Sequence, residues 1–272
     1  MPPLHDALSA RDPDFIRAWH PRLAALFHRY HRVTVTGLER VPPGRVLVVG
    51  NHNGGTSTPD TVALLLAWWE RFGADAPAYG LAHDLGFHVP LLGPLLRRIG
   101  AIPASQGTAF AALESEAKVL VYPGGDLDAY KPSSRRHEVV FGPRRGFVRL
   151  ALRARAPIVP VVSLGAHEGF YVFTDGAAFA RASGLKRRTR MEVLPVIAGL
   201  PWGLWVGPIP SLPPPLRMKL RVLPPIAWPA LDAAAADDDA TVERCFEEVR
   251  AAMQSELDAM VREGGYGLRT PW

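Results

Sequence analysis

Short apolar runs alternate with stretches of helical periodicity along most of the chain. Residues 33–37 (VTVTG), 45–50 (RVLVVG), 78–82 (AYGLA) and 118–125 (KVLVYPGG) read as strands. So do 156–165 (APIVPVVSLG), 190–199 (RMEVLPVIAG) and 217–225 (RMKLRVLPP). The runs at 118–125 and 156–165 are apolar over most of their length, the pattern of strands buried on both faces. Between the strands, 61–72 reads as a helix entered through Pro59 and Asp60, 91–100 as a short helix and 145–155 as a basic one. A last helix covers about 237–262, and Asp237, Asp238 and Asp239 complement the dipole at its start. Such alternation predicts an α/β fold: a mixed, mostly parallel sheet flanked by helices on both faces.

Residues 14–32 predict an N-terminal amphipathic helix, either continuous or broken near Pro21. Arg17, Arg22, Arg29 and Arg32 fall on one face, and Trp19, Leu23, Leu26 and Phe27 on the other. That pattern suits an interfacial helix, or equally a surface helix packed on the body. The expected organisation is a helical extension over 1–32, the α/β domain over 33–230, and a C-terminal helical segment over 231–272 packed on the same domain. Residues 193–216 stand apart, with no charged residue in 24 positions, seven prolines, and both Trp202 and Trp205. Prolines at that density exclude a bilayer-spanning helix. A buried strand followed by a proline-rich loop is one reading; a loop dipping into a membrane interface, where Trp is favoured, is the other.

A chain of 272 residues with 48% hydrophobic and 21% charged side chains has enough apolar surface for one large domain. The single cysteine, Cys245, excludes a disulfide framework and a cysteine metal site. No run of about 20 apolar residues is free of helix breakers, and the N-terminus lacks a signal-peptide layout, so a cytoplasmic protein is expected. The net charge of +5 is uneven. Residues 231–272 hold 4 basic and 10 acidic side chains, and the remainder 27 against 16. A basic body fits an anionic membrane surface or a phosphorylated substrate. No zinc-finger spacing or aromatic RNA-binding pattern supports a nucleic-acid partner.

Two segments carry candidate chemistry. In VVGNHNGGTSTPD (48–60), a strand delivers Asn51 and His52 into a glycine turn. Ligands of α/β sheets bind beyond the carboxyl ends of strands, which is where His52 falls. An Asp in the following helical turn, Asp60, can fix one imidazole tautomer and leave the other nitrogen as a base. Gly54 and Gly55 allow close approach and can offer N–H groups to an oxyanion. In VYPGGDLDAYKP (121–132), a strand ends in a second tight turn, with Asp126 and Asp128 able to bind hydroxyls, cap the turn or ligate a metal. Arg135, Arg136, Arg144, Arg145 and Arg149 follow, some of them suited to a phosphate.

Four blocks in order resemble the glycerolipid and lysophospholipid acyltransferases, especially a bacterial branch near the monoacylglycerol and diacylglycerol acyltransferases. Asn51-His52 through Asp60 resembles the catalytic His/Asp motif. Leu96 to Pro103 (LRRIGAIP) resembles the second block. Pro123-Gly124-Gly125-Asp126 resembles the third, and Phe141-Gly142 to Gly146 with Ala156 to Val161 the fourth. Two features depart from the pattern. The family's Asp stands five positions after His, here Ser57, whereas Asp60 is three further on; and the third block lacks its Arg.

The resemblance implies acyl transfer from an acyl thioester, of coenzyme A or acyl-carrier protein, to a glycerolipid hydroxyl, with no metal and no other cofactor. It makes His52 the general base, Asp60 its partner, and the N–H groups of Asn53, Gly54 and Gly55 the oxyanion site. It also makes Arg98, Pro123, Gly124, Gly125, Asp126 and Arg145 substrate-binding residues, the two arginines for acceptor phosphate or coenzyme A. Lysophosphatidic acid or another lysophospholipid is the first acceptor expected, because the body is basic, and a neutral acylglycerol the second. The protein is then expected peripherally on the inner face of the membrane, in contact with membrane lipids.

Rival readings are weaker. A Ser57–His52–Asp60 hydrolase lacks the Gly-x-Ser-x-Gly elbow. A metal site on His83, Asp84 and His88 has little support. His167-Glu168, after a strand, can line the pocket. The non-enzyme alternative is a membrane lipid-binding module with a silent site.

Overall fold

A computed structural model describes residues 4–184 and 191–269. Its strands are β1 (Arg32–Thr36), β2 (Val46–Gly50), β3 (Ala78–Ala82), β4 (Ala101–Pro103), β5 (Lys118–Val121) and β6 (Ile158–Leu164). They continue with β7 (Phe170–Thr174), β8 (Val196–Gly199), β9 (Gly203–Val206), β10 (Leu216–Val222) and β11 (Gly267–Leu268). The main sheet runs in the order β1-β10-β6-β2-β5-β3-β4, with β11 on β10. Strands β2 to β6 are mutually parallel; β10 lies antiparallel to β6, and β1 pairs with β10 in parallel. This is the mixed, mostly parallel α/β sheet that the alternation predicts.

Central β2 shows why two layers form. All five of its residues are buried, and successive side chains serve opposite faces. Leu47 and Val49 meet the core built with helices Gln106–Glu114, Gly146–Ala154 and Asp239–Glu263. Val46 and Val48 meet the other, built with helices Pro13–Tyr30 and Pro59–Phe72. Helix Asp239–Glu263 buries Cys245, Phe246, Val249, Met253, Leu257 and Met260 in the first core, and Asp238 caps it by accepting from the Ala240 and Thr241 N–H groups. The 237–239 triplet therefore supplies a cap as well as charge.

Helix Pro13–Tyr30 is one element with Pro21 inside it. Its inward residues are Ile16, Ala24 and Phe27; Trp19, Leu23 and Leu26 are exposed. The apolar face read from the sequence is thus divided between the core and the surface. None of the described helices is long and apolar enough to cross a membrane.

Two strand expectations change. Only Val196–Gly199 of the 190–199 segment is a strand, and position 190 lies outside the described residues. The Glu192 and Leu194 N–H groups donate to Asp126 and to the Asp175 carbonyl, not to a neighbouring strand. Part of the expected proline-rich loop is instead β9, which with β7 and β8 makes a separate antiparallel sheet in the order β7-β8-β9. Its inner face, Phe170, Val172, Ile197 and Trp205, closes a small core over Ala129 and Tyr130.

Candidate active site

Because β2, β5 and β6 are parallel neighbours, their carboxyl ends place Asn51-His52, Tyr122-Pro123-Gly124 and Ala166-His167 along one edge. Asn51 latches β2 to β6: its Nδ2 donates to the Ser163 carbonyl at 3.0 Å, and the Ser163 N–H donates to its Oδ1 at 2.7 Å. The Asn53 amide adds a second bond to that carbonyl, at 2.8 Å. The His52 ring stacks on Tyr122 with centroids 4.6 Å apart and planes at 24°. Gly50 makes room for this stack, since a Cβ there would strike the Tyr122 ring. Burial and the nearby Asp60 push the Tyr122 phenol well above its ordinary pKa, so the ring presents a neutral face.

The long His-to-Asp spacing is taken up by winding the turn. Gly54 (φ 94°), Gly55 (φ 60°) and Thr58 (φ 44°) are left-handed around a single 3-10 turn, Gly55–Ser57. A β-branched residue at positive φ costs on the order of 1–3 kcal/mol and persists only where its surroundings hold it. Here the Tyr130 hydroxyl accepts the Thr56 N–H at 2.8 Å, and Thr56 Oγ1 donates to the Pro208 carbonyl at 2.8 Å. The Ser211 N–H donates to Ser57 Oγ at 3.0 Å. Ser57, bonded in this way to Ser211, has no bond to His52, which leaves the hydrolase reading without a nucleophile–base pair.

The wound turn returns Asp60, fully buried in the first turn of helix Pro59–Phe72, to His52. Its Oδ2 lies 3.3 Å from His52 Nδ1 and accepts the Asn53 N–H at 2.7 Å, while Oδ1 accepts the Thr61 N–H at 2.8 Å. A carboxylate so held, at a helix N-terminus, orients the imidazole with Nδ1–H toward itself and Nε2 outward.

Asp128 is the residue whose importance sequence reasoning missed. It is fully buried and does more than cap a turn. Its Oδ2 accepts the His52 N–H at 2.6 Å; its Oδ1 accepts the Val140 N–H at 3.2 Å and pairs with Lys131 Nζ at 2.6 Å. The Lys131 side chain is itself only 1% exposed. An Asp-x-x-Lys spacing, Asp128 to Lys131, directly after the glycine turn was the available signal. Gly124 permits this packing, because a Cβ there would collide with the Val140 carbonyl oxygen and Asp128 Cβ.

Other assignments change. The Asn53 N–H is engaged by Asp60, so it cannot serve an oxyanion; Gly54 and Gly55 have N–H groups without a partner among the described residues. Arg98 precedes β4, on the amino side of the sheet, where it pairs with Asp12 at 2.8 Å and stacks over Phe15. Arg145 is turned onto the C-terminal helix, bidentate to Glu243 at 2.7 and 2.8 Å and stacked over Phe246. Asp126 accepts from Arg144 at 2.7 Å and from the Glu192 N–H, which ties the Pro123-Gly124-Gly125 turn to residues 191–195. Arg98 and Arg145 are thus each matched by an acid. Among the described residues no group of three or more His, Cys, Asp or Glu side chains is placed to hold a metal ion.

His167 lies buried at the end of β6, with Nε2 3.4 Å from Ser133 Oγ and Nδ1 unpartnered. Burial, then the positive Lys131 and Arg136, lowers its pKa to about 3. Burial also lowers His31, whose Nδ1 accepts the Leu216 N–H, to about 4. Both folded values lie below the unfolded one, so the unfolded chain binds more protons in acid. Stability is therefore fully present above about pH 6.5 and falls as pH drops toward the folded values, by up to about 1.4 kcal/mol per pH unit for each histidine. Urea midpoints at pH 7 and pH 5 check this: the wild type is expected to lose stability, and His167→Gln to lose distinctly less.

A family model described as Acyltransferase matches residues 32–164, the span that contains β1 to β6 and His52, Asp60, Tyr122 and Asp128. An uncharacterized protein of Mycobacterium tuberculosis is 30% identical over 248 residues, covering 90% of this chain and 66% of that protein. The chain belongs to the acyltransferase family. A mouse relative, described as a DGAT1/2-independent enzyme synthesizing storage lipids, is 26% identical over 242 residues, or 89% of this chain and 64% of its own. The crystal structure of the 1-acyl-sn-glycerophosphate (LPA) acyltransferase PlsC from Thermotoga maritima superposes with a TM-score of 0.54 at 18% identity. It covers 90% of this chain and 80% of that one, and shares the acyltransferase fold. The chain spans about two thirds of the length of the mycobacterial and mouse relatives.

Proposed function

We propose that this acyltransferase-family chain moves an acyl group from a thioester, of coenzyme A or acyl-carrier protein, to the hydroxyl of a neutral glycerolipid at a membrane surface. The observation that carries the reading is His52 held through Nδ1 by buried Asp60, with Nε2 free at the carboxyl edge of the sheet. His52 Nε2 takes the proton of the acceptor hydroxyl as its oxygen attacks the thioester carbonyl. Asp60 balances the imidazolium that forms. The free N–H groups of Gly54 and Gly55 hold the carbonyl oxygen as it becomes an oxyanion. Collapse breaks the C–S bond, and the proton on His52 goes to the departing thiolate, which leaves an ester and a thiol.

The acceptor departs from the lysophospholipid first expected. A phosphate needs unopposed cations, yet Arg98, Arg144 and Arg145 are each paired with carboxylates and Lys131 is held by Asp128. A neutral monoacylglycerol or diacylglycerol requires none of them. A competition assay tests this: with labelled acyl-CoA and equal monoacylglycerol and lysophosphatidic acid in mixed micelles, label is expected mainly in diacylglycerol. Label mainly in phosphatidic acid would reverse the choice of acceptor.

A further inference from the structure

The small β7-β8-β9 sheet is apolar on both sides. Its inner face is buried, as expected. An outer face in water ordinarily carries polar side chains. Here the outward positions are Tyr171 and Phe173 on β7 and Leu204 and Val206 on β9, each more than half exposed. Trp202, at the β8–β9 turn, is 57% exposed with its indole N–H already bonded to the Pro210 carbonyl. A contiguous apolar patch of this kind marks an interaction surface.

We propose that this outer face, with the Trp202 turn, is the surface by which the protein sits on an anionic lipid bilayer. The inference rests on the reading of the acceptor as a membrane lipid, and its own support comes from chemistry and position. A Trp with a satisfied N–H and an apolar body is suited to the headgroup boundary. The loop that follows β9 meets the N-terminal helix, where the Tyr30 hydroxyl donates to the Pro213 carbonyl at 3.0 Å. That helix exposes Trp19, Leu23 and Leu26 beside Arg22 and Arg29, neither of which has an ion-pair partner among the described residues. Apolar side chains bordered by unpaired guanidiniums complement a negatively charged bilayer; a second copy of this net-positive chain would bring like charges together. The face also joins the site, because Thr56 and Ser57 of the His52 turn bond to Pro208 and Ser211 in the loop after β9.

Cosedimentation with vesicles tests the surface without reference to catalysis. Wild-type protein is expected to bind phosphatidylglycerol/phosphatidylcholine vesicles more tightly than phosphatidylcholine alone. The doubly substituted Phe173→Ser/Leu204→Ser protein, with its thermal midpoint measured as a folding control, is expected to lose at least about tenfold in affinity. Leu23→Ser/Leu26→Ser is the comparison on the helix. Unchanged binding of the folded sheet variant, or loss confined to the helix variant, would overturn the assignment. So would wild-type elution as a dimer that the sheet variant splits, since a second copy would then cover the face. Vesicle binding that depends on Phe173 and Leu204 in a protein without transferase activity would uphold the docking surface and reject the enzymatic reading.

Discussion

His52→Ala is expected to reduce acyl transfer by about 10²–10⁴-fold while the protein stays folded, the range general-base catalysis supplies. The side chain is partly exposed at the sheet edge, stacked on Tyr122 and 3.3 Å from Asp60, so its loss leaves the buried cores intact. Asp60→Asn is the sharper companion. The amide keeps the shape of the group and one acceptor oxygen for the Asn53 or Thr61 N–H, but it no longer carries the charge that balances an imidazolium. It is expected to lower turnover by roughly 10²-fold or more, with little change in acceptor KM, because charge on His52 develops during the reaction. Initial rates for the three proteins, with thermal midpoints as the folding control, check both. Full activity in His52→Ala would remove His52 from the chemistry.

Asp128→Ala is expected to have the largest effect on stability. It leaves the Lys131 ammonium buried without its partner and strips the acceptor from the His52 and Val140 N–H groups. Breaking a buried ion pair from one side costs about 3–5 kcal/mol, which for a domain of this size lowers the thermal midpoint by on the order of 10 °C. Replacing both partners, Asp128→Leu with Lys131→Met, removes the uncompensated charge and is expected to regain most of that stability. Activity is expected to stay low, since the His52 backbone still has no acceptor. A double variant that is stable and fully active would show that Asp128 serves the fold alone. Calorimetry and initial rates on the single and double variants separate these outcomes.

Where one physical cause dominates, the sequence is easy to read. Strands β2 and β6, buried on both faces, show as apolar runs interrupted only by Ser163, and β3 is read at its observed limits. Asn51, His52 and Asp60 are legible because a strand-turn-helix pattern puts them at the edge where ligands bind. The return of Asp60 across eight residues is not, since it depends on left-handed Thr58 and on bonds to Tyr130, Pro208 and Ser211, far off in the chain. The arginines mislead for a similar reason. A guanidinium near a motif looks available until its acid partner arrives from elsewhere, Asp12 for Arg98 and Glu243 for Arg145. Strand β9 is hidden by the prolines around it, and its outward Leu204 and Val206 read as loop residues because they lack the polar alternation of a solvated strand.

The most direct measurement of the proposed chemistry is a product balance with purified wild-type protein, labelled acyl-CoA or acyl-carrier protein, and monoacylglycerol in anionic mixed micelles. Thiol release and label in extracted lipid are followed together, beside His52→Ala and Asp60→Asn. One labelled ester formed for each thiol released, only when acceptor is present and almost abolished in both variants, is the predicted result. Thiol released as free fatty acid without ester, or no consumption of either donor by protein that still binds vesicles, would contradict acyl transfer to a glycerolipid.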